Sequence, residues 1–265
     1  MNTLPVRSSQ DYWNTVAETY DQVFPETLIG RAQREIVWQE LGRTFHAGQR
    51  ILELNCGTGI DAVYLAESGV RVLACDISPR MIEAARRRAR TKRLAELIEF
   101  RVLPTEDIAT LSDQGPFDGV FSNFSGLNHV ADLSALAQSL ARLLKSGAFA
   151  LLCLAGPFAP AEMAWYLSHG KLRQAMRRFT RLTDDVTLNV YYPSVGKMAR
   201  VFAPEFRLQE WKGIGVAAPS CMEHMAQRLP KTFERLARGD RWLGRVPVLR
   251  GLADCVLLQF ERVGR

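Results

Sequence analysis

Three polar side chains in this sequence stand where apolar runs come to an end. Glu53 lies in Arg50-Ile51-Leu52-Glu53-Leu54, Asp76 closes Val72-Leu73-Ala74-Cys75-Asp76, and Asn123 follows Val120-Phe121-Ser122. Carboxylates in such places seldom lack a partner, because a charge leaving water needs one. After the first run comes Asn55-Cys56-Gly57-Thr58-Gly59, a glycine-rich turn that opens into a helix. A helix N-terminus gathers unpaired N–H groups, and glycines without Cβ let a ligand approach the backbone. A turn of this kind after a first strand is suited to a nucleotide-like cofactor.

Two cofactor chemistries compete for that turn. Gly57-Thr58-Gly59-Ile60-Asp61-Ala62 fits the G-x-G-x-x-[GA] dinucleotide fingerprint, and Asp76 follows at a distance suited to a ribose. Glu53 points the other way. Its carboxylate would repel a pyrophosphate in a partly desolvated site, but it suits an ammonium group such as that of S-adenosylmethionine. The balance of charge favours adenosylmethionine over a nicotinamide dinucleotide.

The elements that must position these residues follow from periodicity. Residues 8–42 read as two helices with Pro25 between them. Strands are expected at 50–55, 70–76, 97–103, 117–122 and 148–154, with helices at 59–68, from Ser78-Pro79 to about 93, and at 133–145. A serine cap followed by a first-turn proline marks the second of these helices. Its basic end, Arg86 to Arg93, reads as a solvated face complementing the helix dipole. Apolar strands alternating with helices imply an α/β fold with a doubly wound, mostly parallel sheet covered on both faces. Ligands then sit beyond the carboxyl ends of the strands, where Glu53, Asp76 and Asn123 all fall. A strand near 206–212, a helical region at 220–238 and a closing strand at 255–261 suit an antiparallel pair at one edge.

The 265 residues carry a net charge of +6, unevenly spread. Residues 1–154 hold 16 Lys+Arg against 18 Asp+Glu, whereas residues 155–265 hold 18 against 10, a net +8. The basic part could meet nucleic acid, an anionic membrane surface or an acidic substrate, or be a solvated surface. No apolar run approaches a membrane span, and the first residues lack the apolar core of a secretion signal. Cys56, Cys75, Cys153, Cys221 and Cys255 are scattered singly, which suggests reduced thiols packed as small core residues and a cytoplasmic setting.

With these motifs in this order, residues 10–155 resemble the class I S-adenosylmethionine-dependent methyltransferases, especially their small-molecule branch. The segment ILELNCGTG is similar to the family's first motif and VLACDISPRMIEAAR to its second. PFDGVFSNFSGLNHV resembles the fourth-strand motif, LARLLKSGAFALL the segment before strand five, and YWNTVAETYDQVF a short aromatic helix over the cofactor. The resemblance implies a Rossmann-like, seven-stranded fold. It places Glu53 and the turn Asn55, Cys56, Gly57, Thr58 and Gly59 around the methionine half of S-adenosylmethionine. Asp76 would accept from the ribose hydroxyls, Ile77 and Met81 would pack on adenine, and Thr105 and Glu106 would hold its edge. Asn123 and Phe124 would contact the methionine half, and Tyr20 would close the pocket. Asp118 fits the pattern as a turn-shaping residue. Three departures stand out: Asn55 replaces glycine, though Asn tolerates φ > 0; Pro104 replaces the third motif's aspartate; Ser146 and Ala148 replace Pro and Gly.

Methyl transfer from a sulfonium is an in-line displacement needing alignment and water exclusion, and a hydroxyl acceptor also needs a base. His129, after strand four, is the candidate base, and no metal-ligand spacing is present. The reading is one domain over 1–265, with an N-terminal helical cover at 8–45 and a cofactor-binding core at 46–154. A substrate lid insertion at 155–204 and closing strands and helices at 205–265 complete it. The lid is long for a crossover and carries Trp165, Tyr166, His169, Tyr191 and Tyr192 as substrate-binding candidates. The expected activity is methylation of an O, N or C atom of a small, bulky and partly apolar molecule, with peripheral membrane contact conceivable. An RNA methyltransferase lacks support from an N-P-P-Y-like tetrapeptide after strand four. A nicotinamide-dependent oxidoreductase and a non-catalytic cofactor-binding partner protein are the other rivals.

Overall fold

The computed structural model of the protein describes residues 8–180 and 189–264. The opening residues 1–7 and residues 181–188 of the expected lid lie outside that range. Seven strands form one sheet: β1 Arg50–Leu54, β2 Arg71–Asp76, β3 Ile98–Val102, β4 Phe117–Ser122, β5 Leu144–Ala155, β6 Phe206–Ile214 and β7 Cys255–Arg262. Their spatial order is β3-β2-β1-β4-β5-β7-β6. The first five run parallel, and β7 inserts antiparallel between β5 and β6. The order reverses beside β1, and a crevice opens there at the carboxyl ends of β1 and β4.

The helices are α1 Ser9–Val16, α2 Tyr20–Val23, α3 Leu28–Thr44, α4 Ile60–Glu67, α5 Pro79–Thr91 and α6 Leu133–Leu143. Beyond β5 come α7 Pro160–Ser168, α8 Leu172–Ala175, α9 Arg177–Thr180 and α10 Val195–Phe202, then α11 Glu223–Arg228 and α12 Pro230–Leu243. Side-chain caps fix several starts: Thr27 accepts from Gly30 N, Ser78 from Met81 N, and Asp132 from Ser134 N and Ala135 N. Alternation along the strands sends Leu52, Leu54, Leu73 and Cys75 into one core, with α6 and α10. Ile51, Val72 and Ala74 go into the opposite core, against α3, α4 and α5. Glu53 and Asp76 share the parity of this second set, so both carboxylates belong to the same sheet face.

Several expectations need adjustment. The 8–42 segment forms three helices rather than two, although Pro25 does fall at a break. Residues 105–114 after β3 wind into a 3-10 helix that periodicity did not indicate. The helix expected at 133–145 stops at Leu143, and β5 starts at Leu144, because Gly147 takes φ +75° inside an extended strand. The basic end of α5 is only partly a solvated face. Arg86 donates to the Phe100 carbonyl, and Arg88 pairs with Asp21 at 2.5 Å. Asp118 shapes a turn as expected, accepting from Arg50 N and Lys145 Nζ. All five cysteines are free thiols.

Candidate cofactor and acceptor site

The crevice beside β1 is built from strand ends. Backbone strain gathers there: Asn55 has φ +54°, Phe124 +39° and Ser125 +67°, conformations that non-glycine residues adopt only where the surroundings impose them. Asn55 does replace a glycine and does take the left-handed form. Its bulk is accommodated at Gly126, where a Cβ would collide with the Asn55 side chain. Gly59, φ +75°, lies so close to Ala85 and Phe100 that a side chain there would drive α5 outward.

A cavity opens above this turn. Asn55, Gly57, Asp76, Ile77 and Met81 line one part of it, Thr105 and Glu106 another, and Asn123 and Phe124 a third. Trp13 and Tyr20 cover it, and Ser125, Gly126, His129 and Val130 extend it on the far side. Ten of the residues expected at a cofactor therefore share one cavity: Tyr20, Asn55, Gly57, Asp76, Ile77, Met81, Thr105, Glu106, Asn123 and Phe124. His129 is in the same lining. Glu53, Cys56, Thr58 and Gly59 are outside it. Gly59 serves packing, and Thr58 Oγ1 donates to Asp21 in the cover.

Asp76 is 8% exposed, and its two oxygens accept from Gly57 N and Ser78 N, each at 2.9 Å. Those bonds fix the carboxylate while leaving lone pairs for further donors. Burial raises its pKa, and the two backbone donors oppose the rise. Glu53 is 1% exposed and its Oε2 has no hydrogen-bond partner. Burial pushes its carboxyl well above the usual carboxylate range; the charges of Asp61 and Asp76 push the same way, and Arg34 opposes. Asn123 is committed elsewhere, since Nδ2 donates to Asp61 and Oδ1 accepts from Phe124 N. Asp61 in turn binds Arg34 at 2.5 Å and Trp38 Nε1 at 2.7 Å.

The cover is fastened at two points. Asn14 Oδ1 accepts from Ser78 Oγ at 2.6 Å, and Asp21 accepts from Thr58 and Arg88. Burial lifts the Tyr20 phenol to about 12, so it remains a donor at neutral pH. Trp13 meets His129 edge to face, with centroids 5.6 Å apart.

His129 sits in the 3-10 turn Gly126–His129 after β4. Burial lowers its pKa, while a hydrogen bond to the Asn189 backbone and the charge of Glu106 act against this. Nδ1 is buried without a partner. A ring N–H donated to the Asn189 carbonyl leaves Nδ1 as the lone-pair nitrogen. Asn128, which the sequence reading passed over, is fully buried. Its carboxamide pairs with Ala155 N and O and with the Tyr191 carbonyl, and its own carbonyl accepts from Tyr191 N at 2.7 Å. An Asn immediately before the candidate base was the only available hint.

The five substrate candidates are not in the cavity lining. Tyr166 stacks on Arg177 and Tyr192 on Arg178. Trp165 and the exposed His169 stack on each other, with ring centroids 4.3 Å apart. Tyr191 reaches the site only through its backbone bonds to Asn128. The two guanidinium groups belong to a buried ionic cluster that sequence could not reveal. Glu162 accepts from both, and Arg178 also binds Asp254 at 2.5 Å.

The sheet order, the strained glycine turn and the carboxylate at the end of β2 together define an α/β protein of the Rossmann-like nucleoside-cofactor class. Residues 51–147 match the family model described as a methyltransferase domain. The chain belongs to the class I S-adenosylmethionine-dependent methyltransferases. The tRNA 5-carboxymethoxyuridine methyltransferase of Escherichia coli (strain K12) is 27% identical over 168 residues, covering 62% of this chain and 59% of that protein. The ubiquinone biosynthesis O-methyltransferase of Xanthomonas oryzae pv. oryzae (strain PXO99A) is 35% identical over 101 residues, 38% of this chain and 41% of that one. The matches thus span about three fifths or less of these curated relatives. Among solved structures, the [4+2]-cyclase SpnF superposes with TM-score 0.64 at 15% identity, over 99% of this chain and 100% of its own. Geranyl diphosphate C-methyltransferase from Streptomyces coelicolor A3(2) gives 0.58 at 18% identity, over 98% and 89%. These two likenesses speak for the fold alone.

Proposed function

We propose that the protein transfers a methyl group from S-adenosylmethionine to a nucleophilic atom of a small molecule. The observation that carries this reading is the meeting of ten expected cofactor residues, Asp76 among them, in one cavity that also contains His129. The residues suit the cofactor chemically. Asp76 offers acceptor lone pairs for a hydroxyl pair, Ile77 and Met81 offer apolar surface for a base, and Glu53 holds a buried, unpartnered oxygen suited to a cation. The bound cofactor would supply an electrophilic methyl carbon and a neutral thioether leaving group.

The chain's own residues would do the rest. Trp13 and Tyr20 exclude water from above, and the strained Asn55 and Phe124–Gly126 backbone holds the floor rigid. His129 Nδ1, neutral near pH 7, would take the proton of a hydroxyl acceptor; an amine acceptor would need only to arrive deprotonated. Since an O-methyltransferase and a tRNA methyltransferase both stand among the relatives, the acceptor class rests on the cover: Trp13 and the 189–191 segment close on the cavity from both sides of His129. That favours an acceptor small enough to be enclosed.

Titration calorimetry with adenosylmethionine, adenosylhomocysteine and NAD, followed by label transfer into a metabolite extract and into bulk tRNA, tests the reading. Binding of the first two with label in a small product is the expected result. NAD binding without adenosylmethionine binding would overturn the cofactor, and label confined to tRNA would overturn the acceptor class.

A further inference from the structure

The outer face of the 156–180 segment is apolar and cationic with nothing upon it. Leu172 is 63% exposed, Phe179 52% and Met176 38%. Met176 N bonds to the Leu172 carbonyl and Phe179 N to that of Met176, so the three succeed one another at i, i+4 and i+7 on one side of the α8–α9 turn. Phe158, also exposed, adds its ring beside that of Phe179, with centroids 6.3 Å apart. The opposite side of the same turn is anchored: Ala175 is buried and Arg178 binds Glu162 and Asp254. The apolar row is therefore held outward by a fixed base.

Charge decides what could cover it. Glu162 is the sole acidic residue between 156 and 180, and its carboxylate is buried under Arg177 and Arg178. Lys171 and Arg173 flank the row and are exposed. A second copy of the chain meeting this face symmetrically would bring like charges together. A nucleic acid would neutralise the cations but leave four large apolar side chains without a partner. An anionic lipid surface satisfies both, taking apolar side chains at the acyl boundary and cations at the headgroups.

We infer that this face docks the protein on an anionic lipid bilayer, with Leu172, Met176, Phe179 and Phe158 at the acyl boundary and Lys171 and Arg173 against the headgroups. The inference is independent of the acceptor's identity. Flotation of the full chain with phosphatidylcholine vesicles, with and without phosphatidylglycerol, tests it. Two cations near an anionic surface, at about fivefold each, predict binding about 25-fold tighter to the mixed vesicles, weakening with salt. The double substitution Leu172→Glu with Phe179→Glu should abolish flotation while leaving adenosylmethionine affinity, a measure of the intact core, unchanged. Lys171→Glu should remove most of the lipid selectivity. Failure to float with the mixed vesicles, or equal flotation by the double variant, overturns the inference. So does a concentration-dependent dimer that Phe179→Glu dissociates, with no vesicle binding, because the face would then be a contact between copies.

Discussion

At the scale of single residues, the site sets function against stability at Glu53. A carboxyl whose folded pKa is raised above its unfolded value, about 4.3, destabilises the fold once pH exceeds that unfolded value, and the penalty is complete above the folded pKa. Removing the charge should therefore help the apo chain at high pH and do nothing at low pH. Glu53→Gln is expected to raise the apo thermal midpoint at about pH 8 but not at about pH 4. It should also weaken adenosylmethionine binding, since the unpartnered oxygen would no longer face a cation as an anion. Differential scanning fluorimetry at both pH values, with and without cofactor, checks the sign. Asp76→Asn removes acceptor capacity where two backbone donors already hold the group, and should cost about tenfold to a hundredfold in cofactor affinity. Gly126 carries a subtler expectation. Gly126→Ala collides with Asn55, whereas Asn55→Gly makes room, so the double variant should bind cofactor better than Gly126→Ala alone.

At the scale of elements, the strand-end residues were legible because their periods and turn chemistry are local. Asp76, the Ser78-Pro79 cap and Asn55 as a left-handed stand-in for glycine all follow from neighbours within a few residues. The lid was not legible in the same way. Tyr166 and Tyr192 looked like pocket residues by composition, but guanidinium groups from α9 claim their faces, a pairing that depends on Asp254 some 76 residues away. Asn128 was missed for a related reason: its partners, Ala155 and Tyr191, come from different elements. The lid should therefore respond at its fastenings rather than at its aromatics. Asn128→Ala frees the 189–191 segment beside His129 and should raise the acceptor KM several-fold, with cofactor affinity nearly unchanged. A purely structural role would instead lower both together. Arg178→Met would strand the buried Asp254 carboxylate and cost about 3 kcal/mol or more of stability, read as a lower denaturant midpoint.

At the scale of the whole molecule, the two cores lie on opposite faces of one sheet whose central strands, β1 and β4, carry the site at their ends. The cover is tied to that sheet through Asn14 and Asp21, and the 189–191 segment through Asn128. The lid helix α7 reaches β7's threshold through Arg178. Cofactor binding should consequently stabilise all of it together rather than one part. Adenosylmethionine at about 100 times its Kd contributes about 2.7 kcal/mol by mass action. For a chain of this size that corresponds to a rise of about 5–10 °C in the midpoint, at about 2–4 °C per kcal/mol. A single calorimetric transition that moves as a unit is the expected outcome, with adenosylhomocysteine acting similarly and NAD leaving the curve in place. Two transitions, of which adenosylmethionine shifts one, would show that the segment beyond β5 folds separately, and the fastenings named above would then not couple it to the site.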